Sequence, residues 1–275
     1  MKSSKKLGCI ILASIPALLS SAANAERTDD RYWGSVEGYW PTISSTARLD
    51  FPGTNIPGTE LSLEDEMGLS DRKVLPSVLL GGRLYENWRV EFEYYQIDRS
   101  GTRTADRDIN WGDLTFPVSG AISTKFNTAI YRLSGGYSFY KKPEAEAGVT
   151  LGFHVTDFQI GLSGNASTPN HTASFSSEQK DQLVPLPTIG LYGHYTFAGN
   201  WNVAGRVDYF SLDYDKYNGS LTNWTAAVDW RFVKNFGVGL GYRYVDYKVG
   251  VSKENFHGEV KYQFNGPTLF FEGAY

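Results

Sequence analysis

Apolar and polar side chains alternate along this chain in repeated segments of about ten residues, the length of a strand that crosses a bilayer. The clearest segment sets Phe236, Val238, Leu240, Tyr242 and Tyr244 on one side and Gly237, Gly239, Gly241 and Arg243 on the other. Successive strand side chains point to opposite faces, so one face is greasy and the other small or charged. The same parity recurs near 31–41 (Tyr32, Val36, Trp40), 76–85 (Val78, Leu80, Leu84) and 88–97 (Trp88, Val90, Phe92, Tyr94). Further segments begin at Ala129, Ala147, Ile189, Trp201 and Trp224, and the last is Pro267 to Tyr275.

Very short turns at Glu86-Asn87-Trp88, Lys141 to Glu144, Ala198-Gly199-Asn200 and Val233 to Asn235 join these segments in pairs, and longer polar connections join the pairs. That is how a membrane barrel with tight turns at one rim and loops at the other is arranged. The expected fold is all-β, a transmembrane antiparallel up-and-down β-barrel of about ten strands. Eight or twelve strands stay open: Ser44 to Phe51 with Thr59 to Leu63 can form one more hairpin, and Asp106 to Phe116 can also be extended. The preferred reading makes these extracellular extensions and treats 42–73, 100–124 and 159–183 as long loops, the first place to look for a ligand. A soluble β-sandwich shares the local period, so the compartment decides.

Residues 1–25 supply the compartment. Lys2, Lys5 and Lys6 precede a mostly apolar Leu7 to Leu19 and a small-x-small site at Ala23-Asn24-Ala25. This reads as an export signal, leaving 26–275 as one mature domain. The only cysteine, Cys9, falls in the leader, so the mature chain has no thiol for a disulfide. Loss of the three lysines leaves 23 basic against 30 acidic residues, which argues against a nucleic-acid partner. The 18 Tyr, 16 Phe and 7 Trp suit the aromatic girdles of a barrel at its two interfaces.

The polar parity describes the lumen. It collects Arg83, Arg89, Arg132, Arg206, Arg231 and Arg243 against Glu37, Glu91, Glu93, Glu146, Asp208, Asp229 and Glu272. Interleaved signs favour pairing across strands over the one-sign ring of an ion-selective pore. Trp33, Tyr39, Tyr85, Tyr95, Tyr192, Phe210 and Phe270 share that parity and are expected to fill a barrel this narrow.

Catalytic chemistry is thinly represented. His154 lies three residues from Asp157, which puts the pair on opposite strand faces. His171 precedes Ser174, Ser176 and Ser177 in a serine-rich loop; His194 and His257 complete the set. Glu64-Asp65-Glu66 lacks the spacing of a calcium loop and reads as a solvated charge run or a short helical turn. No cofactor, metal or catalytic residue is expected.

Leu61 to Leu69, Trp88 to Tyr95, Gly152 to Asp157, Leu186 to Leu191 and Gly266 to Phe271 together resemble a group of proteobacterial outer-membrane barrel proteins of unassigned function, and more distantly the small OmpA and OmpW types. The resemblance implies a fold and the cell outer membrane as location, and brings no activity. Leu269, Phe271 and Tyr275 resemble the terminal signature read by the barrel assembly machinery, with Gly273 departing from it. The expected partners are that machinery, outer-membrane lipid and lipopolysaccharide, and the expected state is a monomer. The leading expectation is a non-enzymatic barrel with a largely closed lumen, acting as envelope scaffold or through its loops. The alternatives are a narrow channel or lateral route for small or hydrophobic molecules, and a lipid-modifying hydrolase at the rim.

Overall fold

A computed structural model describes residues 27–50, 58–111, 114–168, 171–178, 182–214, 217–253 and 256–275; the leader lies outside them. The chain forms β1 (Tyr32–Tyr39), β2 (Thr42–Asp50), β3 (Leu61–Ser62), β4 (Leu75–Tyr85), β5 (Trp88–Thr104), β6 (Ile109–Trp111), β7 (Leu114–Phe116) and β8 (Ala121–Lys142). It continues with β9 (Ala145–Thr168), β10 (His171–Glu178), β11 (Gln182–Phe197), β12 (Trp201–Tyr214), β13 (Tyr217–Val233), β14 (Phe236–Lys253) and β15 (Phe256–Ala274).

Ten of these close into an antiparallel barrel in the order β1-β4-β5-β8-β9-β11-β12-β13-β14-β15. The last strand returns to the first, from Trp33 opposite Ala274 to Tyr39 opposite Thr268. Past Trp40-Pro41, β2 continues along the same edge of β15, from Thr42 opposite Asn265 to Asp50 opposite His257. Closure is what lipid demands, because an unpaired backbone N–H or C=O has no partner in hydrocarbon. At the turn between β11 and β12, Ala198 and Gly199 both take positive φ, 46° and 81°, a tight reversal for which glycine suits the second position.

The outward face carries an apolar belt that includes Val36, Leu80, Phe92, Leu133, Leu151, Leu191, Val203, Val228, Leu240 and Leu269, all exposed. Aromatic pairs border it. On one side Trp88 packs on Tyr137 at 5.0 Å and Trp201 stacks on Trp230 at 6.3 Å; on the other, Tyr94 meets Tyr131 at 5.0 Å and Trp224 stacks on Tyr242 at 5.9 Å. A lipid-facing band with aromatic girdles has this form.

Beyond Tyr94 the strands do not stop; their pattern inverts. In β5 the outward positions become Gln96, Asp98 and Ser100, exposed, while Tyr95, Ile97 and Arg99 turn inward and are buried. In β14 Asp246 faces out while Val245 and Tyr247 are buried inside, and β15 repeats this with Gln263 against Tyr262 and Phe264. Above the belt the wall stands in water, so its apolar side turns inward as in any soluble sheet. The expected loops 100–124 and 159–183 are therefore mostly wall: β5 runs to Thr104, β8 begins at Ala121, and β9 extends to Thr168 with β10 folded back on it.

The 42–73 connection also builds wall. The upper part of β5 has no β4 residue beside it, because β4 begins at Leu75 and its pairing with β5 ends at Ser77 opposite Tyr95. Residues 58–74 fill that gap as a panel, pointing Leu61, Leu63, Met67 and Leu69 into an apolar core with Ile43, Ile97, Phe116, Ile122 and Phe126. Its tight turn is capped by Ser62, whose Oγ accepts the Asp65 N–H at 3.1 Å, and ends at left-handed Gly68. A Cβ on Gly101 would stand 2.2 Å from the Gly68 carbonyl oxygen, so glycine there lets the panel lie flush against β5. Gly101→Val should cost about 1–3 kcal/mol through this overlap. Urea unfolding in lipid, together with faster protease cleavage within 58–74, would register it; unchanged cleavage would count against the flush panel.

Candidate functional site

The lumen falls into three layers. Inside the belt, side chains of one inward parity meet across the barrel as a lattice of arginines and carboxylates. Arg132 forks between Glu93 and Asp208, at 2.8 Å to each. Arg206 joins Glu91 at 2.6 Å and Asp208 at 2.8 Å, and donates to Ser134 Oγ at 3.1 Å. Arg243 pairs with Glu93 and lies 3.8 Å from Glu37. Arg89 pairs with Glu91, and Arg83 reaches Glu146 at 2.8 Å. Arg231 binds Glu272 at 3.0 Å. Glu93, Arg132, Asp208 and Arg243 are buried, and each holds at least one opposite charge, which is what keeps such groups from carrying the full desolvation penalty.

Two partners came from outside any strand pattern. A 3-10 turn, Arg27–Asp29, tucks into the nearer mouth, where Arg27 pairs with Asp229 and, at 2.8 Å, with Glu272. Asp30 accepts from Arg231 at 2.6 Å. No alternation runs through 27–30, so only their charge marked them in the sequence.

Above this lattice sits an aromatic layer. Arg243 lies under the Tyr39 and Tyr95 rings at 5.7 and 5.5 Å, and both rings lean on Phe264, at 6.1 and 6.3 Å. Phe126, Phe158, Tyr247 and Tyr262 complete it. The third layer is the apolar core under the panel. Below the aromatics, two adjoining cavities of about 200 and 210 Å³ share walls at Arg89, His194, Ala204, Ala227 and Phe270. They exist because Ala204 and Ala227 are small where neighbouring inward positions are long.

Several sequence expectations need amending. Tyr85 is 76% exposed, because an irregularity between Arg83 and Tyr85 rotates it out of the inward parity. Trp33 donates to Glu91 at 3.1 Å, Tyr192 to Glu146 at 3.3 Å, and Phe210 is half-buried. Glu64 is no solvated charge: its carboxylate accepts the Ser45 N–H at 2.7 Å and the Ser45 hydroxyl at 2.6 Å, and pairs with buried Arg99. That clamp ties β2, the panel and β5 together and leaves the carboxylate occupied by protein donors. Glu66 binds Arg107 at the surface.

His154 is buried and packs against Tyr247 at 6.2 Å, and Asp157 sits on the other parity of β9. His257 is exposed and His194 borders the cavities; the His171 side chain lies outside the described residues. Among the described residues no serine or carboxylate hydrogen-bonds to His154, His194 or His257, and no three histidines and carboxylates gather as a metal site. Outside the belt, Glu259 sits between Lys261 at 2.9 Å and Lys248 at 3.3 Å; partial burial pushes its carboxyl up, but these ammonium groups outweigh that and hold it below the ordinary range. Leu269, Phe271 and Tyr275 all face outward.

No protein-family profile matches the chain, and no curated protein sequence does. Solved structures do. The outer membrane protease OmpT of Escherichia coli superposes with a TM-score of 0.55 at 13% identity, covering 90% of this chain and 98% of its own. The P. putida toluene transporter TodX and the attachment invasion locus protein Ail of Yersinia pestis match more loosely, with TM-scores of 0.35 and 0.30 at 9% and 11% identity, over 90% and 88% of this chain and 90% and 99% of theirs. The likeness to OmpT is one of fold.

Truncating one member of a buried, paired set leaves its partners uncompensated. Glu93→Ala strips a carboxylate from both Arg132 and Arg243 and should cost about 3–5 kcal/mol. Urea titration in lipid checks this; a loss below about 1 kcal/mol, the scale of an exposed pair, would place these groups in water.

Proposed function

We propose that this chain resides in the cell outer membrane of a Gram-negative bacterium as a monomeric, non-catalytic barrel with a closed lumen. It serves as an envelope scaffold and offers its strand-built extracellular wall for binding. The observation that carries this reading is the sequence of fillings along the barrel axis: the arginine lattice, the Tyr39, Tyr95 and Phe264 layer, and the apolar core below the panel. Water and ions crossing the barrel would have to pass the two upper layers, which are packed with buried apolar side chains.

Further support comes from the outside of the barrel. The apolar belt suits lipid, and complete closure of the ten strands at belt height leaves no backbone edge that requires a second copy. Arg48, Lys248 and Lys261 stand on the outer wall above the girdle, where lipopolysaccharide phosphates would meet them. Leu269, Phe271 and Tyr275 offer the assembly machinery an exposed apolar row. The reading as non-catalytic is supported by the lack, among the described residues, of a serine or carboxylate hydrogen-bonded to His154, His194 or His257.

Planar-bilayer recording of refolded protein tests the closed lumen. The wild-type chain should give no stable nanosiemens steps, whereas the triple variant Tyr39→Ala, Tyr95→Ala, Phe264→Ala, which takes out the aromatic rings next to the lattice, should give openings more often than the wild type. Steady openings in the wild type would refute the reading.

A further inference from the structure

The wall has a place where two neighbouring strands are not joined. β11 pairs with β9 from Gln182 opposite Phe158 to Tyr195 opposite Ala145. Its pairing with β12 runs only from Phe197 opposite Trp201 up to Ile189 opposite Tyr209. Yet β12 goes on to Tyr214, fully paired with β13 on its other side. Between 182–188 and 210–214 the two edges therefore face each other without a ladder.

Two residues explain why. Pro185 and Pro187 have no N–H, and they share the parity of Ile189, whose backbone groups meet β12. A proline keeps its place in a sheet only when its missing donor lies on the unpaired side. The prolines preserve the β9 ladder and end the β12 one.

Among the described residues, side chains close this seam. Leu186 is buried, Phe210 half-buried, and both converge on Gly219 of β13, where a Cβ would lie 3.5 Å from each. Leu212 has the inward parity of Asp208 and Phe210 but is 50% exposed, because no strand flanks it on the β11 side. An apolar residue of the interior face is thus left half-uncovered beside the seam. Directly below lie the exposed, lipid-facing Ile189, Leu191 and Tyr209, so the apolar belt reaches the lower end of the seam.

We infer that the seam between β11 and β12 admits the acyl chain of a membrane phospholipid, seated against Leu186, Phe210 and Leu212. This inference rests on the outer-membrane placement proposed above. A hydrocarbon chain matches the lining, and the lipid-facing Ile189 and Tyr209 border the lower end of the seam. The prolines leave carbonyl acceptors at the opening, which suit the ammonium donors of a phosphatidylethanolamine head.

The test uses the full barrel in phosphatidylethanolamine vesicles that carry a photoactivatable diazirine on one palmitoyl chain, with adducts mapped by mass spectrometry. Adducts are expected on Leu186, Phe210 and Leu212 as well as on Ile189 and Leu191. Continuing the register places Pro187 opposite Ser211, and no native thiol lies in 26–275 to compete. An oxidised Pro187→Cys, Ser211→Cys variant should lose the seam adducts and regain them on reduction; equal labelling in both states overturns the inference. Where the thiols do not join, Leu186→Trp fills the same space, and its labelling at Phe210 and Leu212 decides: loss supports the seam site, retention overturns it. Adducts on Ile189 and Leu191 alone in the wild type overturn the seam and leave the membrane placement standing. No adducts at Ile189 and Leu191 overturn the placement and the seam together.

Discussion

A strand that leaves a membrane must exchange the solvent on its outer face, and much of this structure follows from that exchange. In the belt, lipid takes the outward side chains and the polar parity is driven inward. Above Tyr94, Tyr131 and Tyr242 water takes the outward positions, and the apolar parity moves inside. One barrel therefore has two interiors. The lower is ionic because its wall spends its apolar groups on lipid; the upper is an ordinary hydrophobic core.

Arg243 and Arg99 bridge the two regimes in different ways. Arg243 holds Glu93 below through Nη2 and lies under the Tyr39 and Tyr95 rings above, so its guanidinium meets a carboxylate on one side and aromatic quadrupoles on the other. Arg99 lies beside Phe126 and Tyr262 in the apolar layer and is held by Glu64 of the panel. Arg243 thus couples the lattice to the aromatic layer, and Arg99 couples β5 to the panel. The lower lattice is nearly balanced in sign, which lets it be dense without accumulating repulsion; its remaining space lies beside Ala204 and Ala227.

The belt was legible in the sequence because one parity stays apolar from Trp88 to Tyr94 and from Phe236 to Tyr244, with short turns between paired segments. The inward charges were legible by the same parity. Of the upper wall only the extended pieces within 44–63 and 106–116 were legible; elsewhere, when the apolar side changes from Tyr94 to Tyr95 the two-residue period continues, but following one face alone makes it end and leaves a loop. Tyr85 escaped because an irregularity shifts phase by one residue. Arg27 and Asp30 carry no period, and Glu64 looks like its neighbours Asp65 and Glu66 until the fold places Arg99 and Ser45 beside it.

The exchange of faces can be measured directly on β14. Spin labels placed singly at Leu240, Tyr242, Asp246 and Lys248 in lipid vesicles report collision with oxygen, which partitions into hydrocarbon, and with a water-soluble nickel chelate. Oxygen contact should dominate at Leu240 and Tyr242 and nickel contact at Asp246 and Lys248, with labels at Val245 and Tyr247 shielded from both. Oxygen dominance continuing through Lys248, or free nickel access at Val245 and Tyr247, would contradict the inverted wall.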